Sequence, residues 1–409
     1  MIDWERALLR GRYMSAVARI EREGVPIDGA VLERLRRNWA SMREHLIRRV
    51  DKAYGVFDGV SFKHALFEAY LIRRGLAWPT LPTGRLKLDD ETFREQATAH
   101  PELGSLRQLR LSLAQMRTMN LAVGPDGRNR VMLSAFRSKT GRNQPSNSTF
   151  IFGQASWIRH LIKPPDGYGL AYIDWEQQEF AIAAVLSGDQ AMLESYRSGD
   201  PYLDFAKRAG AVPKDATKRS HGAIRDRYKT CALAVLYGAG AERIGFNLGL
   251  PPAYGHELLR AHREQYRTYH RWVEQVLDHA QVTGRIQTVF GWQCRVGEEW
   301  NPRALANFPM QGNGAEMLRL ACCFLTEAGI RVCAPIHDAV LIIAPLDDLE
   351  ATVRRAQALM AEASATVLRG FELRTDVKLV RYPDRYTDER GAGMWATVCE
   401  VLAEVEAAA

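Results

Sequence analysis

Cysteine is sparse in this sequence and is not arranged for chemistry. The six residues, Cys231, Cys294, Cys322, Cys323, Cys333 and Cys399, form no CxxC pair and show no Cys/His spacing of a ligand set. That excludes a zinc knuckle and a disulfide framework and leaves buried thiols in a reducing compartment. Long apolar runs are also missing: no segment approaches the ~20 residues that a membrane helix requires. The first stretch, MIDWERALLRGRY, is charged within six residues and lacks the apolar core of a signal peptide. There are no internal repeats, low-complexity tracts or long flexible linkers. The expectation is a soluble cytoplasmic protein made of closely joined subdomains.

What is present is a core-forming chain of 409 residues, 46% hydrophobic and 25% charged, enough for two or three domains. A net charge of +7 suits a polyanionic partner and is also ordinary. From Val31 to Tyr54, the residues Leu32, Leu35, Trp39, Met42, Leu46 and Val50 recur every three or four positions, the stripe of a long helix. Between them lie Arg34, Arg36, Arg37, Arg43, Arg48, Arg49 and Lys52. This cationic face fits either a solvated surface or one that tracks a nucleic-acid backbone. Short helices are expected over 61–120 and a helical region from Asp189 to Gln281, followed by a helix over about 303–328. GLAYID (169–174), Arg331–Pro335, Ala339–Ala344 and Leu373–Val380 read as strands, so Asp174 and Asp338 stand at strand ends in what could be one sheet.

Two strand-borne aspartates suit one particular chemistry. Joining a nucleotide to a primer needs positioning and positive charge around the transferring phosphoryl group. Two Mg²⁺ ions about 4 Å apart supply both, held by a few rigid oxygen ligands. Either aspartate alone would read as a turn residue or helix cap. A second element is the helix carrying Arg225, Lys229, Leu233 and Tyr237 at four-residue steps. They share one face, drifting about 40° per step over roughly 18 Å. Arginine and lysine one turn apart can grip a triphosphate, and an aromatic further along can stack on a base pair.

These stretches resemble the motifs of family A, the bacterial DNA polymerase I type. AYIDWEQQEFAIAA (171–184) is similar to DYSQIELR, with Asp174, Gln177 and Glu179 in register. RDRYKTCALAVLYG (225–238) resembles R-x3-K-x7-YG, and PIHDAVLI (335–342) resembles the apolar run around HDE, with His337 and Asp338. TGR (140–142) stands for the primer-binding TGRLSS, and RALANFPMQGNGAEM (303–317) matches at Arg303, Asn307, Pro309, Gln311, Gly312 and Ala315. IEREGVPID (20–28) is similar to the segment before the thumb.

The resemblance implies an α+β right-hand polymerase with a small antiparallel palm sheet and mostly helical fingers and thumb. Its parts would be a palm-associated segment 1–28, thumb 29–120, palm 121–190 and 296–409, and fingers 191–295. Asp174 and Asp338 would bind two Mg²⁺ ions, with Mn²⁺ as a substitute, and Lys229 would join them in catalysis. Arg225, Lys229, Leu233, Tyr237, Glu179, Gln177 and His337 would meet the deoxynucleoside triphosphate. Arg142, Arg303, Asn307, Gln311, Arg48 and Arg49 would meet primer-template DNA. A bacterial or phage-encoded, nucleoid-associated monomer is expected, with replication or repair partners and no membrane contact. With no room before the thumb for a nuclease domain, neither proofreading nor 5′-nuclease activity is expected.

The sequence also departs from the family. Ala339 replaces the glutamate after the HD pair, Leu233 the ring that meets the incoming sugar, Glu176 a serine, Ala181 an arginine, and Asn143-Gln144-Pro145 the serines after TGR. The extension from Tyr382 (YPDRYTDERGAGMW) has no counterpart in it. Ala339 motivates a second reading, an impaired fold that binds primer-template without extending it. A single-subunit RNA polymerase is disfavoured by Glu179, which crowds the sugar 2′ position.

Overall fold

The computed structural model describes residues 4–117, 121–297 and 301–408. The chain divides into two compact units. The first comprises Met1–Arg22, Leu133–Gln144 and Leu170–Leu379, the second Glu23–Met132, Pro145–Gly169 and Val380–Ala409. Helices and short strands are mixed throughout, the α+β class.

The first unit is organised by a four-stranded sheet of β1 (Tyr168–Trp175), β2 (Arg331–Ile336), β3 (Ala339–Pro345) and β4 (Thr375–Arg381), in the order β4-β1-β3-β2. β2 and β3 pair antiparallel, and the register Ile336↔Ala339 leaves His337-Asp338 as a two-residue turn. Such tight hairpins require a residue at positive φ, and His337 takes φ 53°. Between β1 and β4, the Glu176 N–H donates to the Arg374 carbonyl and the Tyr382 N–H to the Tyr168 carbonyl. Both strands advance eight residues between these bonds, in opposite senses, so the pair is antiparallel without net slip. On β1, Ala171, Ile173 and Trp175 are buried while Tyr172, Asp174 and Glu176 lie on the open face.

The helix Pro302–Glu327 is buried on nearly every side and packs against β2 and the helices Gln178–Ser187 and Leu349–Val367. Its all-round apolar character hid its amphipathic period but not its helicity. The helices from Gln190 to Thr283 form the expected helical region. Their starts are set by side-chain caps: Asp189 accepts from Met192 N–H, Asp200 from Tyr202 and Leu203, and Thr217 forms a capping box with Ser220. Two short hairpins escaped the sequence reading, Phe57–Asp58 with Ser61–Phe62 and Arg285–Gln287 with Gln293–Arg295. Pairs of two or three residues leave no alternation to detect. The cysteine expectation needs correction at two positions: Cys231, Cys322, Cys323 and Cys333 are buried, but Cys294 is half-buried and Cys399 exposed.

In the second unit, the stripe from Val31 onward becomes the helix Gly29–Asp51, capped by the Asp28 carboxylate on Val31 N–H, with Leu32, Leu35, Met42, Leu46 and Ile47 buried. Helices His64–Arg74, Asp90–Ala99 and Gly104–Arg117 follow around a cluster of Tyr54, Phe67, Tyr70 and Phe93. Residues 118–120 of the expected helical stretch lie outside the described residues.

The extension after Tyr382 forms a helix, Glu389–Ala407, that packs along Gly29–Asp51 and buries Val398, Val401, Leu402 and Val405. It brings carboxylates to the cationic helix. Arg34 makes a two-pronged ion pair with Glu406 at 2.9 and 2.6 Å, and Arg49 lies 3.4 Å from Glu400 and 3.7 Å from Glu404. Arg34 and Arg49 are therefore not free cations, which corrects the picture of an open basic face.

Candidate active site

Asp174 and Asp338, distant in sequence, meet at one end of the sheet. The last residues of β1 place the first, and the β2–β3 turn places the second. The Trp175 N–H donates to the Asp338 carbonyl at 3.3 Å and ties the two segments together. Their side chains are within hydrogen-bonding reach. The Asp174 carboxyl is pushed up to about 8, by burial first and then by the charge and hydrogen bond of Asp338, with Asp376 and Glu176 adding to it. Burial likewise raises the Asp338 carboxyl, opposed by its own backbone N–H and by His337 and Arg142. Two carboxylates confined together repel, and a cation relieves them.

The backbone beside each aspartate is unusual. Gln177 at φ 48° and His337 at φ 53° are two of five non-glycine residues at positive φ among the described residues. Left-handed backbone at a side chain other than glycine is disfavoured, and it clusters where geometry serves a site. Gln177 ends the β1 turn and caps the helix Gln178–Ser187.

A cavity of about 380 Å³ opens beside Asp338, lined by Arg142, Gln177, Gln178, Glu179, Phe180, Tyr202, Leu233, Tyr237 and His337. At its edge the Glu179 Oε1 accepts from Arg142 Nη2 at 3.3 Å and from the Tyr237 hydroxyl at 3.1 Å. Burial, with the Glu179 charge and hydrogen bond, pushes the Tyr237 phenol up to about 12, so it stays a donor at neutral pH. Tyr237 caps the helix Lys218–Leu236, and Gly238 follows at φ +71° with the Arg303 side chain 3.0 Å from where a Cβ would stand. The Tyr-Gly pair is thus explained by helix termination and close approach.

The remaining expected residues fall in three groups. Lys229 is exposed one turn before Leu233. Arg225 is buried and already engaged: its Nε donates to Asp200 at 2.8 Å, Nη1 to Asp226 at 3.0 Å, and its plane lies 5.2 Å from the Tyr202 ring centre. An open phosphate-gripping Arg225 is not what the structure holds. Arg303, Asn307 and Gln311 follow one another at helical turns of Pro302–Glu327, Arg303 exposed and Asn307 buried with both amide atoms unpartnered among the described residues. Arg48 is exposed on the helix Gly29–Asp51.

Sequence reasoning missed Gln178, Phe180, Tyr202 and Asp200. Gln178 is 2% exposed, and neither polar atom of its side chain has a partner among the described residues. Its place beside Gln177 was the only signal, and a Gln-Gln pair says nothing about direction. Asp200 caps the helix Pro201–Arg208, and its second oxygen holds Arg225.

The pair Asp174/Asp338 fits a hard divalent cation. Both groups offer oxygen donors, and Asp174 Oδ1 is a buried atom with no hydrogen-bond partner among the described residues. No described helix is long and apolar enough to cross a membrane.

Comparison with known proteins agrees with the motifs. Residues 147–381, more than half of the chain, match the model of DNA polymerase family A. The thermostable DNA polymerase I of Thermus aquaticus is 26% identical over 379 residues, covering 85% of this chain and 45% of that protein. The DNA polymerase I of Chloroflexus aurantiacus is 24% identical over 392 residues, 88% of this chain and 41% of that one. The chain thus spans less than half the length of these curated relatives. Among solved structures, the POL domain of Pol1 from M. smegmatis, in complex with DNA primer-template and dNTP, aligns with a TM-score of 0.74 at 22% identity, covering 91% of this chain and 69% of that chain. The motif order and the extent of the family match lead to one conclusion: the chain belongs to DNA polymerase family A.

Proposed function

We propose that this chain extends a DNA primer on a template, adding deoxynucleotides to its 3′ end. The primer 3′-hydroxyl oxygen forms a bond to the α-phosphorus, the bond to the β-phosphate oxygen breaks, pyrophosphate leaves and the hydroxyl proton passes to solvent. The observation that carries this reading is the confined pair Asp174 and Asp338 at one sheet end, with the Asp174 Oδ1 buried and without a hydrogen-bond partner among the described residues. These two would hold Mg²⁺, which when bound acidifies the attacking hydroxyl and neutralises charge on the leaving pyrophosphate.

In this reading β1 to β4 form the palm, Lys218–Leu236 belongs to the fingers, and Gly29–Asp51 to the thumb. Lys229 attracts the triphosphate from its exposed position, and Arg225 joins after leaving Asp200. Glu179, fixed by Arg142 and Tyr237, fills the space of a ribose 2′-hydroxyl. Arg303, Asn307 and Gln311 present one helix edge to the template-primer, and Arg48 meets its backbone. The chain acts as a monomer on DNA in a bacterial or phage setting.

The test is extension of a labelled primer with Mg²⁺ and deoxynucleotides, with Asp174→Ala as control. Template-dependent growth of the primer that Asp174→Ala abolishes is the expected outcome. Primer-template binding without any extension, at any Mg²⁺ or Mn²⁺ concentration, would replace this reading with that of an impaired DNA-binding fold, for which Ala339 is the motive.

A further inference from the structure

The carboxylate that the family motif places after the HD pair is Ala339 here, fully buried at the start of β3. The charge it would have brought to the site has to come from elsewhere or be done without. The register of the opposite side of the sheet supplies a candidate. Glu176 bonds to Arg374 and Tyr168 to Tyr382 with equal spacing on both strands, which sets Asp174 directly across from Asp376. Directly opposed residues of an antiparallel pair point to the same face with their Cβ atoms about 5 Å apart. That face is the open one: Tyr172, Asp174 and Glu176 on β1 face it, as do the exposed Asp376 and Lys378 on β4.

We infer that Asp376, from β4, supplies beside the proposed Asp174/Asp338 metal site the negative charge that the missing glutamate on β3 would have brought, from outside the direct ligand set, since no three acids among the described residues close into a metal cage. The inference rests on the proposed role of Asp174 and Asp338 as metal ligands. Of the two further acids near Asp174, Glu176 is already neutralised by the Arg374 guanidinium at 3.1 Å, which also reaches the Tyr196 carbonyl. Asp376 differs. Its Oδ1 accepts the backbone N–H of Val377 at 2.9 Å, and the residue is exposed with no ion pair to a neighbouring cation among the described residues. Asp376 is a positioning residue: from across the strand it holds a hydrated cation through water and adds negative charge, without replacing either aspartate as direct ligand.

The experiment is Mn²⁺ binding to the full chain without DNA, followed by the electron paramagnetic resonance of free Mn²⁺, for wild type, Asp376→Asn, Asp376→Glu and Asp174→Asn. Exposure keeps the effective dielectric near that of water, so loss of one charge at this distance should weaken Mn²⁺ binding about tenfold in Asp376→Asn. Asp376→Glu, which keeps the charge, should stay within about threefold of wild type. The Mg²⁺ concentration for half-maximal extension should rise in the same order. A thermal melt excludes misfolding of an exposed, nearly isosteric variant. Unchanged Mn²⁺ affinity in Asp376→Asn, with binding lost in Asp174→Asn, overturns the role of Asp376 alone. Unchanged affinity in Asp174→Asn overturns the metal-site reading, and this inference with it.

Discussion

The C-terminal helix Glu389–Ala407 gives two opposed expectations for stability and for DNA binding, and a single triple variant separates them. Its apolar side buries Val398, Val401, Leu402 and Val405, and its acidic side offers Glu400, Glu404 and Glu406 to Arg49 and Arg34. Each buried aliphatic side chain contributes roughly 1.5–3 kcal/mol, an upper estimate against an extended chain. The ion pairs are solvent-exposed, with side chains about a third to three-fifths accessible, and such pairs add little. Burial therefore holds the helix in place, and the charges do something else: they neutralise two arginines of the helix Gly29–Asp51. Changing Glu400, Glu404 and Glu406 together to glutamine should leave the melting temperature within about 1 °C, whereas Leu402→Ala should cost about 2–4 kcal/mol. If the cationic helix tracks DNA, two freed arginines add two phosphate contacts. The slope of log affinity against log salt then steepens by about 1.8, and the variant loses roughly tenfold more affinity than wild type between 50 and 200 mM salt. Fluorescence anisotropy with a labelled primer-template measures both. An unchanged slope in the triple variant would refute DNA contact by Arg34 and Arg49. A large drop in melting temperature would refute the division between burial and charge.

Four further outcomes are expected. Asp174→Ala or Asp338→Ala should lower extension by more than ~10³-fold in a single-turnover primer assay, with DNA affinity little changed, if each helps to fix the cation as proposed. Lys229→Ala should reduce kcat/KM for deoxynucleotides by about 30- to 150-fold, equivalent to one charge-assisted contact of about 2–3 kcal/mol, read from steady-state kinetics on a primed template. Glu179→Ala should raise ribonucleotide incorporation relative to deoxynucleotide, scored by alkaline cleavage of the products; equal use of both sugars by wild type would remove the steric role. Burial and then Arg263 push His270 down to about 4, and the fully buried His262 bonded to it lies well below its ordinary value. Both values lie below those of the unfolded chain, so the associated stability is complete above pH ~6.5 and lost as pH falls toward ~4. Melts across that window should show a shallower loss in His270→Asn than in wild type.

The sequence exposed the elements and the aspartate pair more readily than the contacts around them. Strand ends at Asp174 and Asp338 follow from short apolar runs stopped by an acid, and the stripe from Leu32 to Val50 could only be a helix face. Those are local signals. The pairing of Glu404 with Arg49 joins residues at opposite ends of the chain, and no period within either helix says which partner it will meet. The same holds for Asp376: its exposure on a strand is visible from alternation, but its place opposite Asp174 depends on register, which hydrogen bonds at both strand ends determine. Arg225 was assigned by type and spacing alone, and the sequence could not show that an aspartate 25 residues earlier would claim it.

In the proposed reading, Asp200 would stand in for phosphate at Arg225. One of its oxygens closes the start of the helix Pro201–Arg208, and the other occupies the guanidinium that a triphosphate would seek. A substrate anion arriving at Arg225 would swap one negative partner for another, so the arginine would not be left bare in the interior. On that reading a ligand with little charge, such as a nucleoside, would compete poorly with a carboxylate already seated 2.8 Å away, and Asp200 would set a threshold that favours a polyphosphate.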